Sequence, residues 1–369
     1  MYDYLVVGAG LAGATLAERL ANELEARVLV IDKREHLAGN CYDPVTADGL
    51  RYHRYGPHIF HTNSPSVVTY LSRFTTWRPY EHRVLARVGE GLVPIPINRT
   101  TINALYGLDL DEAGAAAFLA ARAIPLARIA NSEDAIVSRV GRELYEIFFR
   151  DYTRKQWGLD PAQLDASVCG RIPTRTSADD RYFTDAFQAM PADGYAAMVE
   201  RMLENPRIDL ALGVDYRAAA DRVTFERIVF TGPIDEFFDH RYGRLPYRSL
   251  RFEFETFDQE RVQAAACINE PGAGVPYTRT TEYKYLTGQT HAKSLISREY
   301  PTAEGEPYYP IPMPESRALY ERYRRLAARE RHVTFVGRLA EYRYYNMDQA
   351  VASALTTFEE LAGASEVAS

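Results

Sequence analysis

The run Gly8-Ala9-Gly10-Leu11-Ala12-Gly13 constrains this chain more than any other feature. It follows an apolar stretch, Tyr4-Leu5-Val6-Val7, and opens a segment with Leu16, Leu20 and Leu24 at helical spacing. A second apolar stretch, Val28-Leu29-Val30-Ile31, then ends in Asp32. Strand, glycine turn, helix, strand and terminal acid, in that order, are the parts of a dinucleotide-binding βαβ unit. Gly8 permits the tight turn, Gly10 lets the backbone approach a pyrophosphate, and Gly13 lets helix and strand pack closely. The helix N-terminus faces the phosphates. Asp32, with Lys33 beside it, is placed to accept from a ribose hydroxyl.

The glycine motif alone does not separate NAD from FAD. Three further features favour FAD. The motif stands at the very start of the sequence, a Gly39-Asn40 pair follows the acid closely, and Val336-Gly337-Arg338 ends a late strand before a final helix that begins near Met347. The N-terminus of that helix is placed to face the flavin pyrimidine edge, where its partial positive charge stabilises an anionic reduced flavin.

Composition narrows the class. A chain of 369 residues with 46% hydrophobic and 25% charged residues has material for two or three folded units. Its formal charge is −7 and it has no Lys/Arg run, which argues against a nucleic-acid partner. Cys41, Cys169 and Cys267 are too far apart for a disulfide framework or a metal site, and they suit a reducing, cytoplasmic setting. No apolar run reaches the roughly 18 residues a membrane span needs, and the start of the sequence has no secretory pattern.

Periodicity gives the organisation. Helices are expected over 12–25, from Pro65 with Ser64 as cap, over 111–122, from a Ser132 cap through Val140, over 143–149, over 316–331 and over 347–361. Strands are expected on either side of Gly89-Glu90-Gly91, over 207–231, and, with period two, over 249–298. The fold class that follows is α/β: a Rossmann-like FAD-binding domain with a helical-bundle insertion and a twisted antiparallel β-sheet domain. The expected boundaries are 1–80, 190–235 and 332–369 for the first, 98–180 for the helical domain with a mobile substrate loop, and 81–97, 181–189 and 236–331 for the sheet.

Four longer motifs, in this order, span most of the sequence: Gly56-Pro57-His58-Ile59-Phe60-His61-Thr62, Tyr152-Thr153-Arg154-Lys155-Gln156-Trp157-Gly158, Val275-Pro276-Tyr277-Thr278-Arg279 and Tyr342-Arg343-Tyr344. Together they resemble the bacterial UDP-galactopyranose mutases. The resemblance implies interconversion of UDP-galactopyranose and UDP-galactofuranose by attack of reduced flavin N5 on the anomeric carbon, with no net redox change. It implies FAD that is active when reduced, a cellular reductant such as NAD(P)H, and a homodimer or higher homo-oligomer. Arg171 and Arg279 match a pair that holds the diphosphate, as planar forks suit two phosphates. Tyr309 and Tyr344 match phosphate-bonding tyrosines. Tyr152, Thr153, Trp157 and Tyr182 match the nucleotide side, with Phe148, Phe149 and Phe183 lining that pocket. Asn269 matches a residue near the diphosphate or sugar. On the cofactor side fall His58, Ile59, His61, Gly337, Arg338, Arg343, Met347 and Asp348. His58 is read as a catalytic neighbour of the flavin that titrates near neutrality. No metal ligand is expected. Two positions depart from the family pattern: Asn346 stands where Asp is usual, and His82 where Asn is usual. An amine-oxidase-like flavoenzyme shares the N-terminal motif but does not need Arg171 and Arg279 together, and a non-catalytic nucleotide-binding flavoprotein would bind FAD or a sugar nucleotide without producing a ring isomer.

Overall fold

The computed structural model describes the backbone of residues 1–368 and the side chains of residues 1–363. Two strands rich in Val, Leu and Ile, Tyr2–Val7 and the fully buried Val28–Asp32, lie inside a five-stranded sheet, all parallel, in the order Val333–Phe335, Phe225–Phe230, Tyr2–Val7, Val28–Asp32, Ile208–Leu212. The order reverses direction beside Tyr2–Val7. In such sheets ligands bind outside the carboxyl ends of the strands at that switch point. The first helix, Leu11–Glu23, and the last, Met347–Ala368, pack together on one face of the sheet. Their contact buries Leu16, Leu20, Val351 and Ala354.

A second sheet has seven strands in the order Tyr309–Pro310, Tyr247–Phe257, Ser294–Thr302, Arg279–Glu282, Cys267–Asn269, Val84–Val88, Gly91–Ile95. Its pairs are antiparallel except one, Cys267–Asn269 with Val84–Val88, which is parallel. The expectation of a wholly antiparallel sheet is corrected there. Helices Arg99–Tyr106, Glu112–Arg122 and Ser132–Tyr145 cover the end strands, and Ile95, Ile102, Leu119, Val140 and Leu144 share one core with Val84 and Cys267.

Several local expectations change. Asn131, not Ser132, caps the helix Ser132–Tyr145, its side chain accepting from Asp134 N at 2.9 Å. The Ser132 hydroxyl instead donates to the Asp165 carbonyl at 2.6 Å. The segment after Tyr145 is a widened π-type turn, Glu146–Arg150, that leads into Asp151–Trp157. Such turns re-aim side chains and recur at functional sites. Phe187–Pro191 pairs with Phe60–Thr62 and Trp77–Pro79 as a small third sheet, so residues 187–189 pair with strands from the N-terminal 80 residues rather than with the seven-stranded sheet.

Candidate active site

Three cavities lie side by side and share lining residues. The first is the dinucleotide cradle, at the switch point of the parallel sheet. Gly8, Gly10, Gly13, Asp32, Lys33, Gly39, Asn40, His58, Gly337, Arg338 and Met347 all line it, as the sequence led us to expect. The glycines differ in why they are needed. A Cβ at Gly8 would lie 2.0 Å from Thr231 Oγ1, and one at Gly13 would lie 1.9 Å from the Gly8 carbonyl. A Cβ at Gly10 would meet only Gly39 Cα, at 3.7 Å, an ordinary contact. The protein itself therefore does not require glycine at position 10. A pyrophosphate lying against the backbone would. Asp32 receives the Ala9 amide at 2.9 Å and the Arg34 amide at 2.9 Å, one on each carboxylate oxygen. Each oxygen keeps a lone pair for a ribose hydroxyl. Arg34 binds Glu306 and, at 2.9 Å, Asn40, and so straps one rim of the cradle. The residues present fit a bound flavin dinucleotide.

The second cavity collects the nucleotide-side residues. Phe148, Phe149, Tyr152, Thr153, Trp157, Arg171, Tyr182, Asn269, Arg279, Tyr309 and Tyr344 line it together. Register explains part of this convergence. Asn269 faces Arg279 across one strand pair, and Arg279 faces Glu299 across the next, so three polar side chains stand in a row on the sheet. Arg279 donates to the Tyr152 hydroxyl at 2.8 Å and pairs with Glu299 at 3.6 Å. Its Nε, Glu299 Oε1 and Asn269 Oδ1 are buried without a hydrogen-bond partner. Buried polar atoms are normally satisfied, so these three are candidates for ligand contacts. Burial favours deprotonation of Arg279, but Glu299 and Tyr152 outweigh it and hold the guanidinium firmly charged. Burial raises the Glu299 carboxyl above its ordinary value against the opposing pull of Arg279.

Arg171 comes from the far end of the helical segment. Its guanidinium lies 4.7 Å over the Tyr344 ring and 3.4 Å from that hydroxyl. Tyr344 stacks on Tyr309 at 5.2 Å, and Trp157 sits 6.3 Å from Tyr309. Burial would raise the Tyr344 hydroxyl's pKa, but Arg171 and Arg338 together with Arg279 prevail and hold it below its ordinary value. Burial raises that of Tyr309. The site thus offers fixed positive charge and phenolic donors around one void, the pattern expected for a dianionic diphosphate.

The third cavity bridges the other two. His58, Arg338 and Met347 are common to it and the cradle, and Arg171, Arg279, Tyr309 and Tyr344 are common to it and the nucleotide pocket. His58 Nδ1 lies 2.8 Å from the Gly56 carbonyl, which can only accept, so Nδ1 carries the proton and Nε2 is an acceptor. Burial pushes its pKa down to about 4. The reading of His58 as a group that titrates near neutrality is therefore corrected: the ring is neutral there. His82, one of the two departures, also lines this chamber, with its pKa pushed by burial to about 3. Its Nδ1 is 3.1 Å from the Tyr80 hydroxyl. Asn346, the other departure, lines both the cradle and the chamber.

Some expected residues fall elsewhere. Phe183 lines the bridging chamber and not the nucleotide pocket, stacked on His61 at 3.6 Å. Ile59 and His61 also line that chamber, outside the cradle, and His61 pairs with Asp185 at 2.9 Å. Arg343 and Asp348 line none of the three cavities. The Arg343 guanidinium turns to the Tyr345 hydroxyl at 3.2 Å. Asp348 accepts from Thr62 at 2.8 Å and ties the last helix to Phe60–Thr62. The start of the expected mobile loop is helical, Asp151–Trp157, and there Arg248, 7% exposed, donates to the carbonyls of Gln156 at 2.9 Å and Lys155 at 3.2 Å. Glu299 and Gln156 were not singled out from sequence. Glu299 gives no local signal, because its place follows from a strand register. Gln156 lay inside a quoted motif, where its burial, with Oε1 unpartnered, could have been suspected.

Comparisons with known proteins bear on the family and the fold. Residues 147–344 match the family described as UDP-galactopyranose mutase, and residues 6–74 match an NAD(P)-binding Rossmann-like domain. A probable UDP-galactopyranose mutase of Klebsiella pneumoniae is 39% identical, over 97% of this chain and 94% of its own length. A dTDP-fucopyranose mutase of Escherichia coli is 36% identical, over 96% of this chain and 97% of its own. A UDP-galactopyranose mutase of Mycoplasma genitalium is 33% identical, over 98% and 95%. Among solved structures, a reduced UDP-galactopyranose mutase superposes with a TM-score of 0.78 at 15% identity, covering 98% of this chain and 94% of that one. A putative protoporphyrinogen oxidase from Exiguobacterium reaches 0.69 at 13% identity, covering 97% and 98%, and at that identity the likeness shows the fold alone.

Proposed function

The chain belongs to the UDP-galactopyranose mutase family, and from that premise we propose that it interconverts UDP-galactopyranose and UDP-galactofuranose on reduced FAD, with no net redox change. One observation carries the reading: Arg171 and Arg279, 108 positions apart in sequence, line the same cavity, and that cavity opens through a shared chamber onto the dinucleotide cradle. An oxidase with an apolar substrate has no use for that pair.

The chain's own residues divide the work. Phe148, Phe149 and Tyr152 offer flat apolar surface for the base. Arg171 and Arg279, with Tyr309 and Tyr344, hold the diphosphate both while it is bonded to the sugar and after it leaves. Stabilising the departing charge lowers the barrier, and keeping it in place lets the same diphosphate return. Asn269 and Glu299 face the chamber where the sugar changes ring size. A reduced flavin seated in the cradle supplies the nucleophile for the anomeric carbon. His58, neutral with an acceptor Nε2, stands between cradle and chamber, where it holds a hydroxyl or ring N–H without adding charge.

In this reading the chain divides at the boundaries given above, except that residues 187–189 go with the N-terminal 80, and it works in the cytoplasm with a reductant such as NAD(P)H and assembles as a homo-oligomer. No helix among the described residues is long and apolar enough to cross a membrane. A second reading has a specific motive: a relative almost as similar as the first is named for dTDP-fucopyranose. Turnover of UDP-galactofuranose and dTDP-fucofuranose by the reduced enzyme separates the two. The proposal requires kcat/KM to favour the UDP-sugar, and a preference for the dTDP-sugar overturns it in favour of the second reading.

A further inference from the structure

Lys155 has no place in the account so far, and it lines none of the three cavities. It sits on the helix Asp151–Trp157, three residues after Tyr152 and two before Trp157. Its Nζ lies within hydrogen-bond distance of four backbone carbonyls: Glu270 at 2.6 Å, Gly272 at 2.7 Å, Tyr277 at 3.0 Å and Val275 at 3.2 Å. An ammonium has three protons, so four carbonyl oxygens share one charge, much as they would around a bound cation. All four belong to residues 270–277, in the connection between Asn269 and Arg279.

The tip of that connection has little else to hold it, while its ends are held: Pro271 and Thr278 are buried, the Thr278 amide donates to the Glu299 carbonyl at 2.9 Å, and Tyr277 packs edge-on against Tyr300 at 5.8 Å. Positions 272–274 are exposed, and a Cβ at Gly272 or Gly274 would meet nothing within 4 Å. Its base is closed by the Glu270 amide on the Thr278 carbonyl at 2.8 Å, and Glu270 pairs with Arg87 at 3.0 Å. The helix on the other side is firm, since the buried Arg248 holds the carbonyls of Lys155 and Gln156. Arg279 leaves the connection one residue beyond Thr278 and reaches back to Tyr152 on the same helix. Lys155 and the Tyr152–Arg279 bond thus join the two walls of the nucleotide pocket at two points, and only one of these faces the cavity.

We propose that Lys155 is a positioning residue, whose ammonium in its carbonyl cage fixes residues 270–278 against the helix Asp151–Trp157 and so sets Arg279 for the diphosphate. The inference rests on the proposed role of Arg279. Lys155→Met keeps the aliphatic stem and removes the charge, and Lys155→Ala opens the cage. In the FAD-loaded enzyme both variants keep the flavin absorbance per chain, because the cradle is untouched. Hydrogen exchange of the amides at 270–278 becomes faster in Lys155→Met without UDP. The Kd for UDP rises about tenfold or more, the size of one lost hydrogen bond to a charged group. Methylammonium chloride restores part of the UDP affinity of Lys155→Ala, while choline chloride at equal ionic strength does not, because only the small cation enters the cage. Unchanged exchange at 270–278, or UDP affinity equal to wild type, overturns the proposal, as does a loss in Lys155→Ala that small and large ammonium ions restore equally or not at all. Arg279→Ala separates this failure from that of the functional reading. If it binds UDP normally, Arg279 is not a diphosphate ligand, whatever the exchange at 270–278 shows.

Discussion

At the scale of single residues, the account turns on two arginines and on buried histidines. A hydrogen bond to a charged group contributes roughly 1.5–3 kcal/mol. Arg171→Ala and Arg279→Ala are each expected to lower kcat/KM by about tenfold to a hundredfold, and further where the leaving diphosphate is held more tightly in the transition state. Because both face one cavity, the double variant should lose less than the product of the single losses. FAD content should remain at the wild-type level. Steady-state kinetics with a flavin absorbance ratio checks all three points. The histidines bear on stability. His53 and His82 are buried and His58 is half-buried, and desolvation lowers the pKa of each: His58 to about 4, His82 to about 3, His53 well below its ordinary 6.5. In the unfolded chain they take up protons near 6.5, and in the folded chain they resist doing so until far lower pH. The unfolded state therefore binds more protons in that window, and stability falls as pH drops below about 6.5. Denaturant midpoints of the holoprotein should decline between about pH 7 and about pH 5. His82→Asn, which cannot protonate, should show a shallower decline, and an equal slope in that variant would remove His82 from the explanation.

At the scale of elements, the first βαβ unit makes the sharpest test. A methyl at Gly13 collides with the Gly8 carbonyl, whereas one at Gly10 meets only ordinary contact. Gly13→Ala should lower the melting temperature of the whole protein or block folding. Gly10→Ala should leave the circular dichroism spectrum intact while FAD content drops sharply. Full flavin occupancy in Gly10→Ala would mean that the pyrophosphate does not approach the backbone there. The same unit shows what was legible from the sequence. Apolar runs, glycines and Asp32 are local signals, and they located the parallel strands Tyr2–Val7 and Val28–Asp32 and the helix between them. Phe187–Pro191 was missed because its five residues do not alternate and end in proline, so only its pairing with two distant strands defines it. The Asn131 cap was displaced by one residue because Asn and Ser stand side by side and both are good caps. Glu299 was illegible for a different reason. Nothing near it in sequence marks it, and its neighbour Arg279 reaches it only through strand register. Arg343 was carried to the cofactor by its place in the Tyr342-Arg343-Tyr344 motif and Asp348 by the family resemblance, and the structure turns their side chains to Tyr345 and Thr62.

At the scale of the whole molecule, segments distant in sequence build one continuous site, among them the glycine turn, the 56–61 loop, the helical stretch that bears Phe148 to Arg171, the three strands that bear Asn269, Arg279 and Tyr309, and the last turn before Met347. The cradle and the nucleotide pocket each have their own lining, and the chamber they share is where a sugar held by its diphosphate would meet the cofactor. In the proposed reaction the flavin's redox state would be decisive, although no electrons would be consumed. The most direct test is anaerobic incubation with UDP-galactofuranose, comparing oxidised enzyme with enzyme reduced once by dithionite, with product chromatography and the flavin spectrum recorded together. The account predicts UDP-galactopyranose from the reduced enzyme alone, over many turnovers, with the flavin still reduced at the end. Equal conversion by strictly oxidised enzyme, or one flavin reoxidised for each product formed, would contradict it.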